Sequence, residues 1–198
     1  MWNQIIEAAY GLGLLQWLAV IFALAYIYFA AKDDIICWLF GIFSSGLWAY
    51  VSWFQYQLIY DSALNVFYVA MGVVGWIHWS AGKRDGSTKE ISTLSLRKHI
   101  SIILLGLLVS GIAAYVAIYY TTASLPFWDA LTTVFSVIAT FLLIEKKLHH
   151  WTYWIIIDAI YIGIYSHRGA YLFTALFVVY TIVSVMGLFR WSRNYRLE

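Results

Sequence analysis

Seven apolar stretches, each about long enough to cross a lipid bilayer, occupy most of this 198-residue chain. They fall at residues 12–31, 35–54, 58–80, 100–120, 127–144, 151–166 and 170–191. A helix needs about 20 mainly apolar residues to cross a hydrocarbon core of roughly 30 Å. Because 63% of the residues are hydrophobic and only 11% are charged, lipid must be the main solvent of the chain. The sequence predicts an all-α integral membrane protein with seven transmembrane helices.

The basic residues predict how these helices are oriented. When seven helices alternate in direction, all of the 12 Lys and Arg residues except Arg168 fall on one side. Short basic loops stay in the cytoplasm. We therefore expect the N-terminus outside and the C-terminus inside. Since the basic residues lie in loops rather than in one patch, the net charge of +2 does not indicate a nucleic-acid partner.

A polar segment at residues 81–99 divides the chain into a first and a second part. Its Gly, Ser and charged residues are typical of a flexible linker on the cytoplasmic side. The two parts share residues at a shift of 112 positions, at which Ala63, Leu64, Tyr68, Gly75 and Trp79 fall on Ala175, Leu176, Tyr180, Gly187 and Trp191. A shift of 116 places Trp38 on Trp154.

These matches predict two parallel three-helix repeats, at residues 12–80 and 127–191. Both repeats would begin outside and end inside, so the helix at residues 100–120 must be a connector that restores direction. The result is a 3+1+3 plan, in which the substrate site is expected between the halves near the midplane. The alternative is that apolar helices share a few Gly and Trp residues by chance.

The sixth span carries the sharpest group of polar and aromatic residues. Spacings of 3, 4, 3 and 4 place Trp151, Trp154, Asp158, Tyr161 and Tyr165 on one helical face. Asp158 lies near the centre of the span, where an ionised side chain costs at least about 2.5 kcal/mol. We expect cavity hydroxyls, amides, water or a cationic ligand to compensate this charge. The alternative is a protonated carboxyl that hydrogen-bonds to a neighbouring helix.

Further candidates for the same site lie on the other spans. Asn65 and Tyr68 on the third span would be costly facing lipid, so they are expected in a cavity, with bonding between helices as the alternative for Asn65. Gly72 and Gly75 are predicted to allow close helix packing. The remaining candidates are Trp38 and Trp48 on the second span and Thr140 on the fifth. Aromatic faces beside a carboxylate suit a flat, positively charged heterocycle.

Tryptophans at the ends of spans are expected to form belts at the two membrane surfaces. They are Trp2, Trp53, Trp76, Trp79, Trp128 and Trp191. The single cysteine, Cys37, has apolar neighbours and is expected to be a buried thiol.

Several motifs of enzymes and pumps are absent from the sequence. It contains no Walker loop, no HExxH zinc motif and no GxSxG nucleophile elbow. The last span has no lysine that could bind retinal. These absences predict a protein that is not an enzyme and needs no cofactor.

The chain resembles the PnuC-type vitamin transporters, which carry nicotinamide riboside and, in close relatives, thiamine. The most specific element is a tryptophan pair three residues apart, followed four residues later by Asp or Asn. The resemblance is carried by WLFGI from Trp38, YDSALNVFYVAMGVVGWIHW from Tyr60, FWDALTTVFSVIATFLLIEKK from Phe127 and WTYWIIIDAIYIGIYSHRGAYLFTALFVVYTIVSVMGLFRW from Trp151. It implies a seven-helix 3+1+3 bundle in the bacterial inner membrane, assembled as a homo-oligomer, with a trimer expected.

The same resemblance implies uptake of a cationic vitamin by facilitated diffusion, with cytoplasmic phosphorylation retaining the vitamin. Trp151, Trp154 and Asp158 would line the site, together with Asn65 and Thr140. Both of the latter stand where many nicotinamide riboside carriers have Gln, which slightly favours thiamine and leaves nicotinamide riboside as the alternative. Two other classes remain open, a proton-coupled carrier that uses Asp158 as a relay and a membrane subunit that binds the vitamin without moving it.

Overall fold

A computed structural model describes residues 2–57, 59–84, 90–120 and 125–197. These residues form eight α-helices. The helices are α1 (Trp2–Gly11), α2 (Leu14–Ala31), α3 (Cys37–Phe54), α4 (Ile59–Arg84), α5 (Leu96–Tyr120), α6 (Pro126–Ile144), α7 (His150–His167) and α8 (Tyr171–Leu197). By length and composition, α2 to α6 and α8 could each cross a membrane. The structure thus confirms an all-helical membrane protein.

The predicted count of seven transmembrane helices is not confirmed, since the described residues form eight helices, of which six qualify as spans and α1 was not predicted. This helix has only 10 residues, too few to cross a bilayer. It packs against α8, and the indole of Trp17 on α2 donates a hydrogen bond to the carbonyl of Ala9 at 3.1 Å. The predicted sixth span corresponds to α7, which is not among the six helices that are apolar enough to cross a membrane. Its polar residues, among them Asp158, lower its mean hydropathy.

Six of the helices form a closed ring in the order α2, α3, α4, α6, α7, α8. Within the described ranges, each of these helices packs against its two neighbours in that order, and α8 returns to α2. In the same ranges α5 packs only against α6, so it lies outside the ring. The ring brings together the first three spans and the last three.

The turn between α2 and α3 has the same backbone hydrogen bonds as the turn between α6 and α7. The Asp33 N–H donates to Ala30 at 3.0 Å, and the Lys146 N–H donates to Leu143 at 2.9 Å. Both turn residues have a left-handed backbone, with φ of 56° at Asp33 and 49° at Lys146. That conformation is uncommon for residues other than glycine. Its occurrence at positions 113 residues apart therefore indicates one turn used twice.

Two tryptophan–glycine contacts are related by nearly the same shift, which is 113 positions for the tryptophans and 112 for the glycines. A Cβ atom added to Gly75 would lie 2.5 Å from the Trp38 ring, and one added to Gly187 would lie 2.7 Å from the Trp151 ring. The partner of Trp38 is therefore Trp151. The predicted match of Trp38 with Trp154 is wrong. It compared residue types along the sequence and did not consider the glycine against which each indole packs.

The basic end of the bundle is defined here as the end at which α2 and α6 finish and α3 and α7 begin. Trp79 donates its indole N–H to the Ile144 carbonyl at 3.0 Å, and Trp191 donates to the Ala30 carbonyl at 3.1 Å. The last carbonyls of a helix lack partners within the helix, so each indole caps a helix of the other group. Trp79 is 4% exposed and Trp191 is fully buried.

The predicted surface belt is thus wrong for Trp79 and Trp191, whose polar edge is used inside the protein. Trp53 and Trp128 are exposed, as expected of belt residues, whereas Trp76 is partly buried. The side chain of Trp2 lies outside the described residues. Cys37 is a buried, free thiol, as predicted.

An ion pair joins the two repeated turns at the basic end. The Lys146 ammonium lies 2.8 Å from an Asp33 carboxylate oxygen and 4.5 Å from the centre of the Trp79 ring. The side chains of Lys146 and Asp33 are 11% and 23% exposed. Partial burial makes such a pair less sensitive to screening by salt.

The end of the predicted flexible linker is anchored in the structure. Residues 85–89 lie outside the described part, but Ile91 is buried in the same apolar cluster as Trp79 and Trp191. The Ser92 N–H donates to Lys146 at 3.0 Å, and the Ser92 carbonyl accepts from Leu148 at 2.8 Å. The prediction of a flexible linker is therefore wrong for these residues, because they pair with the turn between α6 and α7.

The close approach at Gly75 leads to a stability prediction. We expect Gly75→Ala to lower the free energy of unfolding by about 1–3 kcal/mol, since a new methyl group must displace the Trp38 ring. Gly111→Ala on α5 is the matched control, because a Cβ atom there meets nothing within 4 Å. Reversible unfolding of both purified variants in mixed micelles measures the difference. Equal stabilities would show that the contact between α3 and α4 can relax at no cost.

Candidate functional site

A cavity of about 330 Å³ lies inside the ring of six helices. Residues from all six ring helices line it, whereas none of its lining residues comes from α1 or α5. Sites for small molecules are usually cavities of roughly 300–1,000 Å³ with mainly apolar walls and a few polar groups. This cavity has that size and that kind of lining.

All nine residues predicted to bind substrate line this cavity. They are Trp38, Trp48, Asn65, Tyr68, Thr140, Trp151, Trp154, Asp158 and Tyr161. The fold therefore brings together residues from α3, α4, α6 and α7. Their positions agree with a common site between the two groups of helices.

Asp158 lies in the cavity wall on α7, where it is 3% exposed. Ser184 and Tyr180 on α8 are its polar neighbours. The described residues that line the cavity include no lysine or arginine. An ionised carboxylate in such a place needs a counter charge or hydrogen-bond donors. A cationic ligand in the cavity could supply the charge.

Aromatic rings cover the part of the cavity farthest from the basic end. Ring centres of Tyr161 and Phe177 are 4.6 Å apart, and those of Tyr165 and Phe177 are 5.4 Å apart. The planes of the second pair are tilted by only 17°. Stacked rings of this kind present flat faces on which a heterocycle can stack.

The floor of the cavity, at the basic end, is formed by three buried rings. Trp38 and Trp151 are each 2% exposed, and His150 is fully buried. Below them lie Trp79 and Trp191, with ring centres of Trp38 and Trp79 at 5.4 Å and of Trp151 and Trp191 at 5.8 Å. This packing closes the cavity at the basic end.

Two of the predicted residues are less available to a ligand than expected. The Thr140 hydroxyl donates to the Ser136 carbonyl at 2.8 Å, so only its lone pairs can act on a ligand. The Trp151 indole packs on Gly187, His150 and Trp191, which leaves little of its face open. Trp151 is therefore part of the floor rather than a free stacking platform.

The prediction omits several residues that line the cavity. Phe177, Tyr180 and Ser184 on α8 follow spacings of three and four, the same pattern that singled out α7. That periodicity could have found them. His150 carried no such signal, because it lies just before the predicted sixth span. Among the described residues, no group of three or more His, Cys, Asp or Glu is placed to hold a metal ion.

Comparison with known proteins agrees with this architecture. The sequence profile of the nicotinamide mononucleotide transporter family matches residues 13–193. The nicotinamide riboside transporter PnuC of Escherichia coli K12 is 26% identical, over 94% of this chain and 88% of its own. The protein of the same name from Neisseria mucosa is 27% identical, over 90% of this chain and 73% of its own.

A solved structure shows the same fold. The crystal structure of the vitamin B3 transporter PnuC superposes with a TM-score of 0.78, with 22% identity over 98% of this chain and 88% of the other. The family profile covers most of the chain, and the apolar helices account for a multi-pass protein of the bacterial inner membrane. The chain therefore belongs to the PnuC family of nicotinamide mononucleotide transporters, whose members are membrane transporters.

Proposed function

We propose that this protein imports nicotinamide riboside by facilitated diffusion. The observation that carries the proposal is a cavity enclosed by six helices, in which Asp158 lies among aromatic rings. Nicotinamide riboside has a flat, positively charged ring that fits a carboxylate beside aromatic faces. The relatives named above are nicotinamide riboside transporters, and this favours that vitamin over thiamine, the substrate that Asn65 and Thr140 slightly favour.

In this proposal Asp158 balances the charge of the pyridinium ring. Trp154, which is only partly buried, and Tyr161 supply flat surfaces on either side of the carboxylate along α7. Asn65 and Tyr68 face them from α4. Phosphorylation in the cytoplasm would retain the imported vitamin, so the carrier needs no energy-coupling site of its own.

The proposed topology is a 3+1+3 bundle, with the N-terminus outside and α5 as the connector. Two observations support it, the turn used twice at a shift of 113 and the packing of α5 outside the ring. With this orientation the basic end is cytoplasmic. The closed floor then makes the structure an outward-facing state. Alternating access would proceed by separation of the two halves at the basic end.

Uptake into liposomes that contain only the purified protein tests the proposal. Labelled nicotinamide riboside should enter until its inside and outside concentrations are equal, whether or not a pH gradient is imposed. Uptake that follows an imposed pH gradient would instead indicate proton coupling. Binding without any uptake would indicate a subunit that holds the vitamin without moving it. Calorimetric titration with thiamine alongside should show weaker binding of thiamine.

A further inference from the structure

Gly41 and Trp154 lie at the same depth on opposite walls of the cavity. Gly41 is the fifth residue of α3 and Trp154 is the fifth of α7, and both helices begin at the basic end. At a rise of 1.5 Å per residue, each lies about 6 Å from the start of its helix. In the ring order α2, α3, α4, α6, α7, α8, the helices α3 and α7 are three places apart, so they face each other across the ring. Both residues line the cavity.

Each of these walls carries one aromatic ring at this depth, but the two rings come from different helices. On one wall the indole of Trp154 on α7 packs against the apolar cluster that contains Ala139 of α6, which is fully buried. On the other wall a Cβ atom added to Gly41 would lie 3.0 Å from the ring of Tyr26 on α2. Since Gly41 has no side chain, the ring of Tyr26 can pack directly on α3.

The repeated turn shows that these positions correspond. Tyr26 and Ala139 are 113 positions apart, and so are Gly41 and Trp154. The same shift relates the two left-handed turns that join α2 to α3 and α6 to α7. The large residue of each pair is on α2 in the first half and on α7 in the second half. Tyr26 is therefore the counterpart of Trp154 on the opposite wall.

We propose that the flat ring of the substrate lies between Tyr26 and Trp154. This inference rests on the proposed function and adds to it a second stacking residue. Trp151 is closed within the floor, so Trp154 is the member of the tryptophan pair that offers an open face. Tyr26 lines the cavity and is only partly buried, so its ring is open to a ligand.

Two facing rings make the cavity selective for flat, cationic rings. Aromatic rings stack with offset faces, and each face attracts a positive charge. A pyridinium ring between Tyr26 and Trp154 would be attracted from both sides, whereas a saturated ring of the same size would lose both contacts. Because the two residues belong to different halves of the protein, a substrate ring in this place also contacts both halves at once.

Calorimetric titration of the full-length protein in detergent with nicotinamide riboside tests the second stacking residue. Tyr26→Phe keeps the flat ring and should bind as tightly as the unmodified protein. Tyr26→Leu keeps an apolar side chain over Gly41 but removes the aromatic face, and it should bind about tenfold more weakly. The control Tyr28→Leu changes a tyrosine on the same helix that is 49% exposed and is not among the cavity-lining residues, so it should leave the affinity unchanged.

A double variant tests whether the two walls are equivalent. Tyr26→Ala together with Gly41→Trp copies the arrangement of Ala139 and Trp154 into the first half, so the second ring comes from α3 instead of α2. We expect this double variant to bind nicotinamide riboside more tightly than Tyr26→Ala alone, which should lose about tenfold in affinity.

Unchanged affinity of Tyr26→Leu would overturn the inference while leaving the proposed function intact, whether or not the double variant folds. Equal losses in Tyr26→Phe and Tyr26→Leu would also overturn it, since the hydroxyl group rather than the ring would then account for the effect. A folded double variant that binds no better than Tyr26→Ala would contradict the equivalence of the two walls. Failure of the unmodified protein to bind nicotinamide riboside would remove the proposed function, and the inference with it.

Discussion

Asp158→Asn will weaken the binding of nicotinamide riboside by about 100-fold, equal to about 2.7 kcal/mol. The substitution keeps the size of the side chain and leaves the neighbouring Ser184 in place. It removes the negative charge that lies opposite the pyridinium ring in the proposed complex. Truncating one partner of a buried charge pair typically costs 2–5 kcal/mol. Titration calorimetry on purified protein measures the effect directly. An uncharged analogue of the vitamin should lose little of its affinity in the same variant.

Asp129→Asn is the matched control for this prediction. Asp129 lies in the first turn of α6 and is not among the cavity-lining residues, so its replacement should leave the affinity unchanged. If Asp158→Asn binds normally but unfolds more easily, the carboxyl group serves to hold α7 and α8 together. In that case the alternative of a structural carboxyl would be correct, and the site would depend on the aromatic rings alone.

A chemical bridge between positions 33 and 146 will abolish uptake without preventing binding. The Asp33 and Lys146 side chains already meet at 2.8 Å across the two halves. Joining them covalently should hold the basic end closed, so the cavity can fill from the other end but never open inwards. The test variant carries Asp33→Cys and Lys146→Cys together with Cys37→Ser, which removes the native thiol. After treatment with a cleavable reagent that links two thiols, we expect its uptake to fall to the background level of empty liposomes. Cleavage of the reagent should restore uptake.

A second cysteine pair controls for the reagent. Gln16 on α2 donates a hydrogen bond of 2.9 Å to Gln55, the residue that follows α3, so this contact lies within one half. A bridge between cysteines at these positions should leave uptake almost unchanged, because the halves move as units in the proposed mechanism. Normal uptake through the protein bridged at 33 and 146 would show that the basic end does not open during transport.

Much of the fold could be predicted because lipid imposes simple rules on a sequence. Each predicted span lies within a helix or within two residues of its ends over the described residues, and helical spacing placed Trp154, Asp158 and Tyr161 on the wall of one cavity. The same spacing applied to α8 would have added Tyr180 and Ser184. Polar residues that recur every three or four positions are informative in a membrane, since facing lipid would be costly.

The missed features depend on partners that are distant in the chain. Trp79 and Trp191 lie at the ends of predicted spans, as belt residues do. They are buried because their indole N–H groups donate to the carbonyls of Ile144 and Ala30, which are distant in the chain. Helix α1 was missed because its 10 residues are too few for a span, and its packing against α8 depends on the fold. The pairing of Ser92 with the turn between α6 and α7 likewise joins segments about 55 residues apart.

The charges of the repeated turn bear on how such a chain could have arisen. In a symmetric dimer of one half, the residue at position 33 would meet its own copy, as an isologous interface requires. Two aspartates or two lysines would then repel each other, whereas one continuous polypeptide can hold Asp33 against Lys146. Fusion of duplicated ancestors permits this attraction. Co-expressed separate halves should therefore pair with each other rather than with themselves.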